Sequence, residues 1–441
     1  MTISVICVLK NKNQNQIPMK HLIFTLLLYC TSLFYCFADT LRMMQYNMMY
    51  YTTSAPSDCN TSGNYMNDKD ANLKTIIDYV LPDVFCVNEI GSQTKYIDRV
   101  LNNVMNTSGR EYYANCPLTN HSGGTIANML FYDTRKLVFY NHFYVTTSVR
   151  DINAYKMYYQ SEGLARGDTA FITFIIAHLK AGNNTTYAAD RKTQVERLTT
   201  KLAQVGIDNY VFSGDFNLYT ATEPAYQHLL YNNNTAFRFI DPIDEYGKWN
   251  NNYNFAKVHT QSTHSSEGNC FASGGLDDRF DFILVSPTVF YGTKKVEVIP
   301  SSYHALGQDG QHFNKNLTDA PTNTTVPAEV ITALFNFSDH LPVICDFEIK
   351  TTNKIQDNRT SFFVNVENPV KDAINMRIFA ENEQVYHFQI FTITGKLIDQ
   401  FSERIFSGNN TISRKFEFTP SFYILKITNE QHETLIKKLV K

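Results

Sequence analysis

The chain has 441 residues, 43% hydrophobic and 18% charged, with 39 Lys+Arg against 42 Asp+Glu. That length leaves room for two or three domains, and the apolar share excludes a wholly disordered chain. A formal net charge of -3 excludes a strongly basic nucleic-acid coat protein but not an enzyme that visits nucleic acid briefly.

Met19, Lys20 and His21 precede an apolar run from Leu22 to Phe37. The run is shorter than the ~20 residues a membrane span needs. Cys36-Phe37-Ala38 supplies a small-x-small cleavage pattern. Residues 1–38 are therefore expected to be a signal peptide, with Met19 as an alternative start and a retained anchor helix as the rival reading. Five cysteines follow: Cys59, Cys86, Cys116, Cys270 and Cys345. An odd, sparse set is not a disulfide framework. Cys86 and Cys345 fall in apolar strands and are expected to be core thiols. Cys59 and Cys116 lie in polar, turn-rich stretches and are expected to pair in an oxidising compartment.

Strand and helix patterns then alternate. Leu41–Asn47 reads as a buried strand, and Asp68–Leu81 as a helix with Leu73, Ile76, Ile77 and Val80 on one face. Asp83–Glu89 is a strand and Ser92–Met105 a helix. Ile126–Tyr132, Leu137–Tyr140 and Ala170–His178 are strands, and Asp190–Val205 is a helix. Tyr210–Ser213, Phe280–Ser286 and Pro342–Ile349 are further strands. This mixed order predicts layered α/β architecture. Residues 351–361 are polar and read as a linker. Beyond them, short β-rich runs separated by turns predict a small all-β domain over residues 362–441.

The polar residues that stand out sit where strands end. They are Asn47, Glu89, His178, Asp215 with Asn217, and the adjacent Asp339 and His340; Asp281 lies inside an apolar strand. Ligand crevices of layered sheets form at strand ends. A lone Asp after a strand is usually a turn residue, but a charge within an apolar strand needs a partner.

Met44-Gln45-Tyr46-Asn47, Pro82–Glu89, Ala177-His178-Leu179-Lys180, Ser213–Asn217, Arg279–Ile283 and Ser338–Val343 occur in an order that resembles the endonuclease/exonuclease/phosphatase superfamily. The resemblance spans nearly all of residues 40–349. It implies a four-layered α/β sandwich over residues 39–350 that hydrolyses phosphate esters with Mg²⁺, Mn²⁺ and Ca²⁺ being alternatives. It also implies roles: Asn47, Glu89 and Asp339 as metal ligands, His340 as general base oriented by Asp281, Asp215 and Asn217 positioning the nucleophile, and His178 donating to the phosphate or leaving oxygen. The substrate expected is nucleic acid, bound transiently. A sphingomyelinase-like phospholipid activity, a small-molecule phosphatase and, in another class, a non-catalytic surface binding protein remain open. A monomer without a membrane span in the mature chain is expected.

Other polar clusters have plainer readings. His259, His264 and Glu267 contain zinc-ligand types but sit in a polar loop. Lys180 and Arg191 are either phosphate contacts or solvated charges. Trp249, Tyr246, Tyr253 and Phe255 are either a lid or stacking wall, or anchors for a long loop.

Val366–Asp372, Ile393–Ile398, Phe422–Ile427 and Lys437–Lys441 resemble the C-terminal sorting domain of the Bacteroidetes type-nine secretion system. Ser421 departs from the usual Gly before the aromatic. The resemblance implies export to the surface or medium through that secretion machinery; a substrate-binding β-sandwich is the alternative. The charge divides with the domains. Residues 1–38 hold three lysines and no acids, residues 362–441 ten basic against nine acidic side chains, and residues 39–361 carry 26 basic against 33 acidic, a net of -7. That excess argues against tight binding of nucleic acid through basic surface.

Overall fold

The computed structural model describes residues 39–51, 66–161, 164, 167–268, 270–350, 362–367, 369–380, 382–417, 419–431 and 433–441. The expected signal peptide, Cys59 and the expected linker lie outside them. The chain divides into two compact units, Met1–Asn353 and Lys354–Lys441.

The first unit begins with β1 (Asp39–Tyr51), α1 (Met66–Val80), β2 (Val84–Gly91) and α2 (Thr94–Val100). Four strands follow, β3 (Tyr113–Asn115), β4 (Ile126–Asp133), β5 (Leu137–Val145) and β6 (Ile152–Tyr159), and then β7 (Phe171–His178). It continues with α3 (Thr185–Val205), β8 (Tyr210–Asp215), α4 (Pro224–Tyr231), β9 (Asp281–Val285) and α5 (Pro287–Phe290). It closes with β10 (Val296–Ala305), α6 (Ala328–Phe337) and β11 (Val343–Ile349). One sheet runs β10-β11-β1-β2-β4-β3 and the other β5-β6-β7-β8-β9. Each sheet contains one parallel pair, β1/β2 and β7/β8. A helix, α1 or α3, lies between the two strands of each pair in sequence, as a parallel connection requires.

Strand alternation builds four layers. Phe174, Ile176, Val211 and Ile283 face inward and join the core of the first sheet. Ile175, Ala177 and Phe212 face outward and pack with Val195, Leu198 and Leu202 of α3. On the far side, Tyr46 and Tyr51 of β1 pack on Phe337 of α6, with ring centroids 5.3 and 5.5 Å apart. The order is thus helices, sheet, sheet, helices, the expected α/β sandwich.

The two sheets also share a buried polar seam. Gln45 donates to Asn88 at 2.6 Å, Ser213 Oγ to Gln45 at 3.0 Å, and the Asp215 amide to Asn88 Oδ1 at 3.0 Å. Asn88 in turn donates to Asn128 at 2.7 Å and to the Ala177 carbonyl at 3.1 Å. Buried polar groups tolerate the dry interior only when partnered in this way. The seam fixes β1, β2, β7 and β8 against one another just below their C-terminal ends.

Several elements differ from the sequence reading. The expected helix Ser92–Met105 is α2 followed by a π-helical turn, Leu101–Met105. The start of α3 lies five residues before the expected Asp190, where Asn184 caps it by accepting from the Tyr187 amide at 2.9 Å. The pairing expected for Cys116 does not form: among the described residues Cys86, Cys116 and Cys345 are free and buried, and Cys270 is disulfide-bonded. Cys116 sits just past β3 inside the core, where its thiol meets apolar side chains.

The second unit contains only strands among its described elements: β12 (Phe362–Val366), β13 (Ala373–Ala380), β14 (Gln384–Thr392), β15 (Leu397–Ile405), β16 (Gly408–Lys415), β17 (Phe422–Asn429) and β18 (Thr434–Val440). They form sheets β12-β13-β16 and β15-β14-β17-β18. Ile374, Met376 and Ile378 from one sheet meet Phe388, Ile390, Leu425 and Ile427 from the other. Ser421 exchanges two backbone hydrogen bonds with Lys441, at 3.1 and 3.0 Å, so it extends the β17/β18 ladder.

Candidate active site

The strand-end residues come together because the two parallel pairs end at the same rim. Asn47 is in register with Asn88 across β1/β2, His178 with Asp215 across β7/β8, and Asp215 with Asp281 across β8/β9. The backbone at the rim is irregular. β1 and β2 are both out of register there, and Met49, Tyr50, Glu89 and Asn217 have φ of 45°, 53°, 59° and 51°. Non-glycine residues hold such angles only where their surroundings over-determine them. Gly214 has φ 144°, and a Cβ there would lie 1.8 Å from the Ala177 carbonyl oxygen. The absence of a side chain lets β8 bring Asp215 beside His178.

Asn47 is the hub. Its Nδ2 lies 3.1 Å from Glu89 Oε1, 3.0 Å from Asp215 Oδ2 and 3.3 Å from His340 Nε2. Its Oδ1 accepts from the Met49 amide at 3.0 Å. Asn47 was expected as a metal ligand; its Nδ2 aligns the carboxylates, and its Oδ1, which accepts one backbone amide, keeps a second lone pair. Glu89 also accepts from the Tyr50 amide at 3.1 Å. His340 Nδ1 is 2.6 Å from Asp281 Oδ2, and its Nε2 faces amide donors from Asn47 and, at 2.8 Å, Gln261. That pattern fits the tautomer with the proton on Nδ1 and the lone pair on Nε2. Gln261 Nε2 also donates to Asp339 Oδ2 at 3.0 Å, and the Ala272 amide to the same oxygen at 3.1 Å. His178 Nε2 is 3.4 Å from Asp215, and its Nδ1 is 3.7 Å from Glu89 and buried without a hydrogen bond. Asn217 joins through its amide, which donates to Asp215 Oδ1 at 3.0 Å.

Seven of the eight expected residues thus share one connected cluster and Asn217 borders it. Burial sets its electrostatics. Desolvation raises the Glu89 pKa, opposed by Arg150, and raises Asp215 to about 7. Desolvation, reinforced by Arg150, holds His178 well below the ordinary imidazole value. His340 is opposite: burial disfavours its charge, but Asp281, Asp215 and Asp339 together outweigh burial and place its pKa well above the ordinary value. Glu89, His178 and Asp215 offer ligand atoms within 4.8 Å of one another. Oxygen-rich donors with one neighbouring imidazole suit a hard divalent cation.

Two site residues escape sequence inspection. Gln261 links Asp339 to His340 from a loop. Arg150 donates from Nη1 to the His178 carbonyl at 3.2 Å, which places a cation beside Glu89 and His178. Neither belongs to a pattern visible along the chain. Other candidates resolve into structural roles. Arg191 is 1% exposed and pairs with Glu223 at 2.6 Å and with the Lys180 and Gly182 carbonyls, so it is not a phosphate contact. His259 is tied by both ring nitrogens to the Leu276 and Trp249 carbonyls, and His264 is stacked between Phe271 and Phe335 at 3.8 and 3.9 Å. They are not gathered as ligands. Trp249 is buried against Tyr226, Phe282 and Arg279, while Tyr246 and Tyr253 are exposed.

Residues 368–441 match the family described as the secretion system C-terminal sorting domain. No curated protein matches the chain significantly. Among solved structures, D. rerio TDP2 complexed with a single-strand DNA product is 14% identical, with a TM-score of 0.44, covering 70% of this chain and 99% of that one. The human nocturnin catalytic domain with bound sulfate is 16% identical, with a TM-score of 0.41 over 71% and 97%. A Bacteroides thetaiotaomicron endonuclease/exonuclease/phosphatase family protein is 14% identical, with a TM-score of 0.41 over 70% and 95%. No helix among the described residues is long and apolar enough to cross a membrane. The C-terminal unit is thus similar to secretion-system sorting domains, and the solved structures that the chain resembles include members of the endonuclease/exonuclease/phosphatase family.

Proposed function

We propose that the chain is an exported phosphoester hydrolase that works with a divalent cation, Mg²⁺ first. The carrying observation is the His340–Asp281 pair at 2.6 Å, whose other ring nitrogen, Nε2, meets the Asn47 and Gln261 amides beside the Asp215 carboxylate. Glu89, Asp339 and Asp215 would hold the cation, which would supply charge neutralisation to the phosphate and to the developing oxyanion. Asp281 keeps the proton on Nδ1, so Nε2 takes a proton from the attacking water. The high basicity of His340 comes from Asp281, Asp215 and Asp339. Neutralising the last two lowers it toward the ordinary range and leaves the ring a usable base at neutral pH. The water oxygen bonds phosphorus as the ester P–O bond breaks. His178, kept neutral by burial, donates a hydrogen bond to a phosphate oxygen. Asp215 and Asn217 orient the water, and Arg150 attracts the phosphate.

The favoured substrate is a nucleic-acid phosphodiester bound transiently. The net charge of -7 over residues 39–361 favours a second reading, a small phosphomonoester that needs no extended basic surface. The matched sorting domain supports export. Purified protein assayed with Mg²⁺ or EDTA on single-stranded and duplex DNA, RNA, sphingomyelin and sugar or inositol phosphates separates these readings. Cleavage of polynucleotide supports the first and monoester hydrolysis alone the second. No Mg²⁺-dependent release from any substrate refutes the hydrolase.

A further inference from the structure

Lys69 is 1% exposed, yet no carboxylate accepts from it among the described residues. Its ammonium donates to two main-chain carbonyls, Met48 at 3.0 Å and Met49 at 2.8 Å. It also lies 4.9 Å from the Phe337 ring centroid. A buried lysine whose hydrogen bonds among the described residues go to backbone alone is a costly group, and its role lies in the backbone it holds.

That backbone is the bulge inside β1, between Asn47 and Tyr51. Met49 and Tyr50 both have left-handed φ, 45° and 53°, and neither is glycine. The amides of these same two residues reach the site: Met49 N to Asn47 Oδ1 at 3.0 Å, and Tyr50 N to Glu89 Oε2 at 3.1 Å. The bulge therefore offers its carbonyl side to Lys69 and its amide side to Asn47 and Glu89. We infer that Lys69 is a positioning residue, which clamps the bulge so that its amides aim Asn47 and Glu89 at the cation site. This rests on the cation reading above for its affinity consequence, and on geometry alone for the clamp.

The test compares wild type, Lys69→Met, Lys69→Gln and Leu73→Ala. Leu73 is a buried α1 residue one turn beyond Lys69, so its truncation loosens the helix without removing the ammonium that bonds the two carbonyls. Mn²⁺ affinity is measured by calorimetry, and crystal structures of wild type and Lys69→Gln report the bulge. The clamp predicts at least about tenfold weaker Mn²⁺ binding for Lys69→Met, as for loss of other groups that orient metal ligands. It predicts a smaller loss for Lys69→Gln, which retains amide donors, and near-wild-type affinity for Leu73→Ala. If Lys69→Met does not fold, Lys69→Gln carries the test, with weakened Mn²⁺ binding and a displaced Tyr50 amide expected. An unchanged bulge in Lys69→Gln, Mn²⁺ affinity within twofold of wild type, or an equal loss in Leu73→Ala overturns the inference. A wild type that binds no Mn²⁺ sinks the cation reading instead, and the bulge geometry then decides the clamp alone.

Discussion

Changing Asp281 to Asn keeps the shape of the side chain and removes the charge that faces His340 Nδ1 at 2.6 Å. Asp281 is fully buried, so water cannot replace it. Its charge and its hydrogen bond are the leading causes that raise the His340 pKa against burial. Without them the ring pKa falls, and each unit of fall is about 1.4 kcal/mol of lost preference for the imidazolium. The Asn amide can also turn its NH₂ toward Nδ1, which puts the ring proton on Nε2, where the base needs its lone pair. Loss of general-base action costs roughly 10²–10⁴ in kcat, or about 3–5 kcal/mol of transition-state stabilisation. The assay is steady-state phosphoester hydrolysis at saturating Mg²⁺, paired with ¹H–¹⁵N titration of His340 in the metal-free protein. Asp281→Asn is expected to lose at least about a hundredfold in kcat with KM little changed. Activity within threefold of wild type, or an unmoved His340 titration, refutes the assignment.

Gly214→Ala forces a Cβ within 1.8 Å of the Ala177 carbonyl oxygen at φ 144°, so it should cost about 3–5 kcal/mol in a urea titration; a loss under about 1 kcal/mol contradicts the close approach. Burial between Phe271 and Phe335 lowers the His264 pKa to about 4. An unfolded His, near 6.5, binds its proton first as pH falls, so the stability this ring contributes is lost between pH 6.5 and 4. Discounted for partial solvent screening, the loss is on the order of 1–2 kcal/mol. His264→Phe should flatten that part of the pH–stability curve relative to wild type, and an identical slope in both proteins contradicts the sign.

The site was legible in the chain where apolar strands run into polar residues. Glu89, His178 and Asp215 each close such a run, and sheet register brings them together. The β-rich texture of the second unit was legible from its turns, such as Thr392–Lys396 with Gly395 at φ 83°. What escaped depends on tertiary contacts. Arg191 reads as a helix-surface charge until Glu223, 32 residues away, folds against it. Gln261 and Arg150 lie in loops with no periodicity. α6 was hidden by its nearly all-apolar sequence, AEVITALFNF, which reads equally as a strand. Cys116 lies among Asn115, Pro117 and Asn120, so its sequence neighbours suggested a surface turn while its thiol points into the core.

The most direct measurement is the rate of phosphoester hydrolysis by wild type and His340→Ala after EDTA treatment and titration with Mg²⁺. His340 is buried against Asp281 with Nε2 at the carboxylate rim, so removing it deletes the base and leaves the carboxylates in place. The account predicts that Mg²⁺ restores wild-type turnover and that His340→Ala, with an unchanged circular dichroism spectrum, stays at least about a hundredfold slower at every Mg²⁺ concentration. Equal turnover in the two proteins, or wild-type turnover that persists in EDTA, contradicts it.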